Sequence, residues 1–440
     1  MNAKKSINLG FRGWILVIYQ ACGFFAFTAF TSWPQNLLAD MYGGQTTVST
    51  VYTVACLLGV VAQLVLSKFI SKFKNVMRFS VILGSVSLLL ALGVMLIGAQ
   101  HATLWLVVYF LVTACITTWC TFTIGIVVGQ WFPTRKGTVM GIATIAFPLT
   151  NALLSNFAAK VYTIGTFRAF LPYWIISVVC IILGAVFIKD YPEKCGCFRD
   201  NDRSMTPEIA RAMTEAEIEN KKTSVWTIGK ILRTRDFWFM VIPEGLLLAS
   251  TVGMMTQLVP ILNEHADELS SIGGYSTVMI GAAVIACIGS WLLGIIDTKI
   301  GTKKALVIAM IFMIASGILG TFNNIYTLMC AVFALAVYEG ASSNFTVSSS
   351  AQYWRREDFA NVFSVVNPVS NIMQAAGPSV IAIIATLAMG YSGSFLLTAI
   401  LGVIGLILLL CFSPKHVKET DDKYRTAAGK ELDDALVGRK

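Results

Sequence analysis

Twelve apolar runs, each long enough to cross a bilayer, constrain this chain more than any other feature. They lie at about 14–32, 47–67, 79–98, 103–128, 137–158, 171–188, 236–262, 275–296, 305–321, 326–348, 360–388 and 392–413. Crossing the hydrocarbon layer takes roughly 20 helical residues. Inside it every backbone N–H and C=O must be paired by the protein, so only helices and closed barrels span it. The runs are continuous and do not alternate polar with apolar, which argues against barrel strands. The expected fold is therefore an all-α membrane protein of twelve transmembrane helices, spans 1 to 12. Charged residues make up only 13% of the chain, about half the soluble average of roughly 25%.

The loops carry the charge. With the N-terminus placed inside, 31 of the 33 Lys and Arg residues fall in the termini or in inward loops; Lys160 and Arg168 are the exceptions. Inward loops collect bases, so both termini are expected on the cytoplasmic face of the plasma membrane. This accounts for the formal charge of +9 without nucleic acid, because anionic lipid headgroups attract the bases. The basic start leads into a full-length span with no recognisable cleavage site, so no leader is expected to be removed. The predicted organisation is a first six-helix bundle at 1–188, a cytoplasmic linker at 189–235, a second bundle at 236–413 and a cytoplasmic tail at 414–440. Within the linker, Thr206-Pro207-Glu208 reads as a helix start, and WTIGKILRTRDFW combines apolar and basic faces as an interfacial helix does.

The two halves repeat. FPLTN at 147–151 and NPVSN at 367–371 lie half a chain length apart, each inside an apolar run. GQWFPTRKG from Gly129 and AQYWRREDF from Ala351 follow spans 4 and 10, and Thr121-Phe122-Thr123 matches Asn344-Phe345-Thr346 just upstream. Parallel repeats relate two bundles by an axis along the membrane normal, with a substrate site between them near the midplane. Pro148 and Pro368 are then equivalent kinks in spans 5 and 11. Thr150, Asn151, Ser370 and Asn371 beside them either bond neighbouring helices or face a cavity.

The loop after span 8, GIIDTKIGTKK from Gly294 to Lys304, resembles the signature loop of the major facilitator superfamily. The matching positions are Gly294, Asp297, Lys299, Gly301, Lys303 and Lys304; the first-half counterpart SKFISKFKNVMR from Ser67 keeps bases but lacks the acid and both glycines. The aromatic-basic loop after span 4 and the LRTRDFW entry to span 7 loosely resemble the oxalate/formate-antiporter and monocarboxylate-transporter branch. The resemblance implies two pseudo-symmetric six-helix bundles, a gating role for Asp297, Gly294 and Gly301, and a central cavity formed by spans 1, 4, 7 and 10. Tyr19, Gln20, Trp119, Gln257, Tyr338 and Asn344 are then cavity candidates, joined by Asn151, Asn371 and Gln374 from spans 5 and 11. Packing is the competing role for each of them.

Two carboxylates fall inside spans: Glu339 mid-span in VYEGASSNFT, and Glu244 nearer one end in FMVIPEGLL. A charge within a membrane is expensive and marks function unless it is structural. Glu339 is read as a proton carrier or substrate ligand. Glu244 is a weaker candidate, since a shallow acid can reach interfacial water or Lys230. No Lys or Arg lies mid-span, which disfavours a dianionic substrate.

The expected function is secondary transport of a small organic solute by alternating access, with protons as coupling partner, membrane lipids as surroundings and a monomer as the working unit. Branch resemblance favours a monocarboxylate or similar organic anion. The missing intramembrane cation favours a cationic or lipophilic compound exported against protons. A non-transporting sensor with the same fold is a further alternative. No phosphate-cradling glycine-lysine loop points to ATP, and no cofactor or nucleic acid is expected. An enzyme is disfavoured because His101, His265 and His416 all lie outside the apolar runs. Cys195-x-Cys197 lacks further nearby ligands, so no metal site is expected there.

Overall fold

The computed structural model describes residues 9–69, 75–133, 135–151, 164–202, 206–209, 224–271, 273–322 and 324–429, with single positions at 153, 161, 211, 212 and 215. Eleven of its helices are long and apolar enough to cross a membrane. They are Gly10–Gln35, Thr47–Leu66, Val76–Leu96 and Ala99–Trp131 (spans 1 to 4), Thr166–Phe187 (span 6), Arg235–Asn263, Gly274–Ile300, Thr302–Gly320, Ile325–Tyr353, Phe359–Ala385 and Gly390–Cys411 (spans 7 to 12). No strand occurs among the described residues. The fifth span is described only to Asn151 and at a few later positions, so its remaining length, with Lys160, lies outside the described residues. So does most of the linker stretch after Glu208. At its start Thr206 Oγ1 accepts the Ile209 N–H at 3.4 Å, as the cap reading expects.

Packing follows the repeat. One hydrophobic core is built almost wholly from residues of the first half and a second from residues 247–409. Between the halves, span 2 packs along span 11, and the start of span 5 along span 8. These pairs are exchanged by the half-chain offset, as a parallel repeat requires. Outward faces are apolar and exposed, with Leu89, Val186 and Ile383 more than half accessible. Such a surface is stable only against lipid.

The first pentad breaks its helix. The helix Lys136–Ala143 gives way to a turn at Thr144 and Ile145 before helix resumes at Ala146. Pro148 has no N–H for the Thr144 carbonyl, and its ring crowds that position. The Phe147 N–H takes the Thr144 carbonyl instead, at 3.0 Å. Span 11 runs unbroken through Pro368 and Pro378.

The tail forms an ordered helix, Pro414–Ala427. It docks on the loop between spans 10 and 11 and on the linker. Arg355 and Arg425 both reach Asp421, at 2.8 and 3.2 Å, and Arg425 also bonds Glu357 and Asp358. Trp226 Nε1 donates to Asp421 at 2.8 Å. The expected interfacial helix at Ile228–Arg233 thus turns Ile231 inward, beside Trp226, onto a core shared with Trp354 and Val417. Leu232 is left facing outward. The tail at 414–427 is thus a folded clamp.

Candidate functional site

Two cavities meet between the bundles, of about 440 and 540 Å³. They share Phe27, Phe147, Leu248, Ser343 and Gln374 and are stacked along the span axis. The first, nearer the termini, has Gln20, Thr121, Asn367 and Asn371 in its wall. The second has Thr28, Asn151, Thr251 and Glu339. Among the described residues, Glu339 and the Cys120 thiol are the ionisable side chains lining these cavities, and no Lys, Arg or His does so.

Helix irregularities shape these walls. Thr28–Ser32 in span 1 and Trp119–Thr123 in span 4 are π-helical turns, and Ser342–Asn344 interrupts span 10 with a 3-10 turn. Such turns release backbone groups and are common at functional sites. The Thr31 carbonyl beside the first is taken by the Tyr109 hydroxyl at 2.6 Å.

Asn151 spans the bundle interface. Its Nδ2 donates to Glu339 Oε1 at 2.8 Å, and its Oδ1 accepts Trp33 Nε1 at 3.0 Å. The second pentad does the same from the other side. Asn371 Nδ2 lies 3.2 Å from Thr121 Oγ1, while Asn367 Nδ2 donates to Gln63 Oε1 at 3.0 Å. Spans 5 and 10 are thus joined by one asparagine, and spans 11 and 4 by its repeat mate. Each of these asparagines bonds a neighbouring helix and also lies in a cavity wall.

The other candidates separate. Gln20 lines the first cavity, with its Oε1 unpartnered among the described residues. Tyr19 and Trp119 do not line either cavity. They are buried in the first bundle, where Trp119 Nε1 donates to Tyr19 Oη at 3.0 Å and Ser80 Oγ lies 3.1 Å from the same oxygen. Tyr338 bonds Ser250 at 2.9 Å between spans 10 and 7. Gln257 and Asn344 are buried, with Gln257 Nε2 and both polar atoms of Asn344 unpartnered among the described residues. Glu244 is fully buried, beside Ser349 and Asp297, with no well-formed hydrogen bond to its oxygens. It reaches neither water nor Lys230, whose Nζ instead donates to the Val225 carbonyl.

The signature-loop residues seal the end nearer the termini. Thr302 Oγ1 donates to Asp297 at 2.5 Å, and Asp297 lies against Gly137 of span 5. A Cβ on Gly294 would sit 2.8 Å from the Gly137 carbonyl, so only glycine permits that approach. Gly301 turns the chain from span 8 to span 9 with φ +97°, a conformation natural to glycine. Ser290 Oγ donates to the Gly141 carbonyl at 2.9 Å, and Thr138 and Thr298 hydroxyls meet at 3.0 Å. At the far end Thr53 and Ser379 hydroxyls meet at 2.7 Å between spans 2 and 11. The bundles touch at both ends, with the cavities between them.

Trp33 and Gln63 had no distinguishing signal in sequence, and Asn367 was marked only as the first residue of the second pentad. Their roles depend on which helix face meets which neighbouring span.

The model of the Major Facilitator Superfamily matches residues 14–296 and 246–435. The chain belongs to the major facilitator superfamily. Its members are transporters, not enzymes, and this chain is accordingly a multi-pass transporter of a small solute. No curated protein matches it. Among solved structures it is similar to the human organic anion transporter MFSD10 (TETRAN), with TM-score 0.64, 13% identity, and 90% of this chain and 98% of that one covered. It is also similar to the proton:xylose symporter XylE bound to 6-bromo-6-deoxy-D-glucose, with TM-score 0.67, 12% identity, and 93% and 98% covered. At such identities the likeness concerns the fold.

Proposed function

We propose that this superfamily member is a proton-coupled secondary transporter working by alternating access, with Glu339 as its proton-carrying or substrate-binding group. The observation that carries this is the place of Glu339: the one carboxylate in the cavity wall among the described residues, held by Asn151 across the bundle interface. A charge that changes its partners when the bundles rock couples protonation to conformation. The chain works as a monomer in the plasma membrane, with both termini cytoplasmic.

A wall whose described residues hold one acid and no base favours a cationic solute or an uncharged one rich in hydrogen-bond donors. The monocarboxylate reading, drawn from the branch resemblance, keeps one support. Asn151, Asn371 and Gln374 supply amide N–H groups, and these can hold a carboxylate once Glu339 is neutral. Purified protein in liposomes under an imposed pH gradient distinguishes the two, tested with amines, sugars and monocarboxylates. Uptake driven by the gradient and abolished in Glu339→Gln supports the proposal. Uptake of any of these solutes that is equally strong without a gradient, in parent and variant alike, overturns it.

A further inference from the structure

The roomiest of the described cavities lies outside the transport path. It is an open cleft of about 1070 Å³ between the start of span 3 and the end of span 6. Asn75, Met77, Arg78 and Val81 form one wall, and Ala185, Ile188, Lys189 and Lys194 the other. Three cations therefore converge where two helices leave the membrane.

Asp190, next in sequence to Lys189, is already committed. Asp190 is buried; its Oδ1 accepts the Met77 N–H at 2.5 Å, and Lys194 Nζ is 3.9 Å from its Oδ2. Arg78 and Lys189 are exposed, and neither has an ion-pair partner among the described residues. Like charges that line one cleft with no counter-ion among the described residues are unfavourable, so the arrangement fits an anion. A guanidinium offers a phosphodiester two parallel hydrogen bonds, and lysines add point charges. The cleft also continues into lipid-facing surface. Ile82 and Leu89 on span 3, and Ile182 and Val186 on span 6, are each more than half exposed and offer a bed for acyl chains.

We propose that this cleft binds the headgroup phosphate of an anionic phospholipid, whose tails lie along spans 3 and 6. A zwitterionic lipid fits poorly, because its ammonium would meet three cations. Basic pockets between transmembrane helices bind headgroups in this manner. A soluble phosphoester offers the same phosphate chemistry without the tails.

The test is native mass spectrometry of the full-length chain in micelles. It is titrated in turn with phosphatidylglycerol, phosphatidylcholine of the same acyl chains, and glycerol phosphate. Phosphatidylglycerol is expected to bind at least tenfold tighter than either of the others. Arg78→Gln/Lys189→Gln is expected to lose at least tenfold of that affinity. Lys304→Gln/Lys415→Gln removes two exposed charges elsewhere and is expected to change it less than twofold. Lys189→Gln alone, an exposed change that leaves the fold intact, is expected to lose at least threefold. Binding by the double variant within twofold of the parent overturns the site. An equal loss in the control pair reduces it to general charge and also overturns it. Glycerol phosphate binding as tightly as the lipid, and lost in the double variant, overturns the lipid as the source of the phosphate.

Discussion

The carboxamide of Asn151 lies between Trp33 and Glu339, accepting from the indole at 3.0 Å and donating to the carboxylate at 2.8 Å. One side chain thereby ties spans 1 and 5 of the first bundle to span 10 of the second. Hydrogen bonds between membrane helices average only about 0.6 kcal/mol, so its removal is a modest loss of stability and a large change at the cavity. Asn151→Ala is expected to lower thermal stability by about 1 kcal/mol and to cut transport at least tenfold. In a double-mutant cycle with Glu339→Gln the transport losses are expected not to add, because the two residues act as one unit. Additive losses, measured as initial rates in liposomes, contradict that.

The paired hydroxyls at the two ends give a test of alternating access. Thr138→Cys/Thr298→Cys and Thr53→Cys/Ser379→Cys replace contacts of 3.0 and 2.7 Å. Oxidation is expected to cross-link each pair and to stop transport, and reduction to restore it. Undiminished uptake by either cross-linked protein rules out the rocking of these two interfaces.

The tail clamp is expected to matter for stability. Arg425 is buried and bonds Asp358, Glu357 and Asp421. Removing one member of such a network leaves buried charge unpaired, at a cost of roughly 3–5 kcal/mol. Arg425→Ala should lower the melting temperature of the purified protein by several degrees, whereas Lys415→Ala, on an 88% exposed side chain, should leave it unchanged.

The same cluster predicts a pH dependence. Burial pushes the Asp358 carboxyl up to about 6, against the pull of Ser224 and Arg425. The folded state then binds more proton than the unfolded one between the ordinary value of 3.8 and about 6. Stability held at the acid end is lost as pH rises through that window, by up to about 3 kcal/mol. Thermal melts between pH 4.5 and 7.5 should show this fall in the parent and a flatter profile in Asp358→Asn. Equal slopes in the two would remove Asp358 as its source.

The sequence by itself determined the spans, the two-fold repeat and the candidate acids. Each follows from a local property: length of apolar run, spacing of matching motifs, the cost of a carboxylate in hydrocarbon. Pro148 and Pro368 each lose the hydrogen bond four residues back by covalent geometry, yet the helix gives way to a turn only before Pro148, so the sequence marks where a helix can break and not whether it does. Which polar residues face the cavity depended on the tertiary structure. Tyr19 and Gln20 are adjacent, yet one is sealed in the bundle core and the other lines the first cavity, because neighbouring positions on a helix point about 100° apart. Trp33 acquired its partner Asn151 only when spans 1 and 5 packed within the first bundle, and Gln63 met Asn367 only when the two bundles packed. The docking of the tail helix was not legible in the chain because its charges pair with residues some 65 to 195 positions away. Glycines 137, 141 and 294 show the same division. The chain spells them out, but only the approach of span 5 to span 8 within backbone contact gives them a reason to lack side chains.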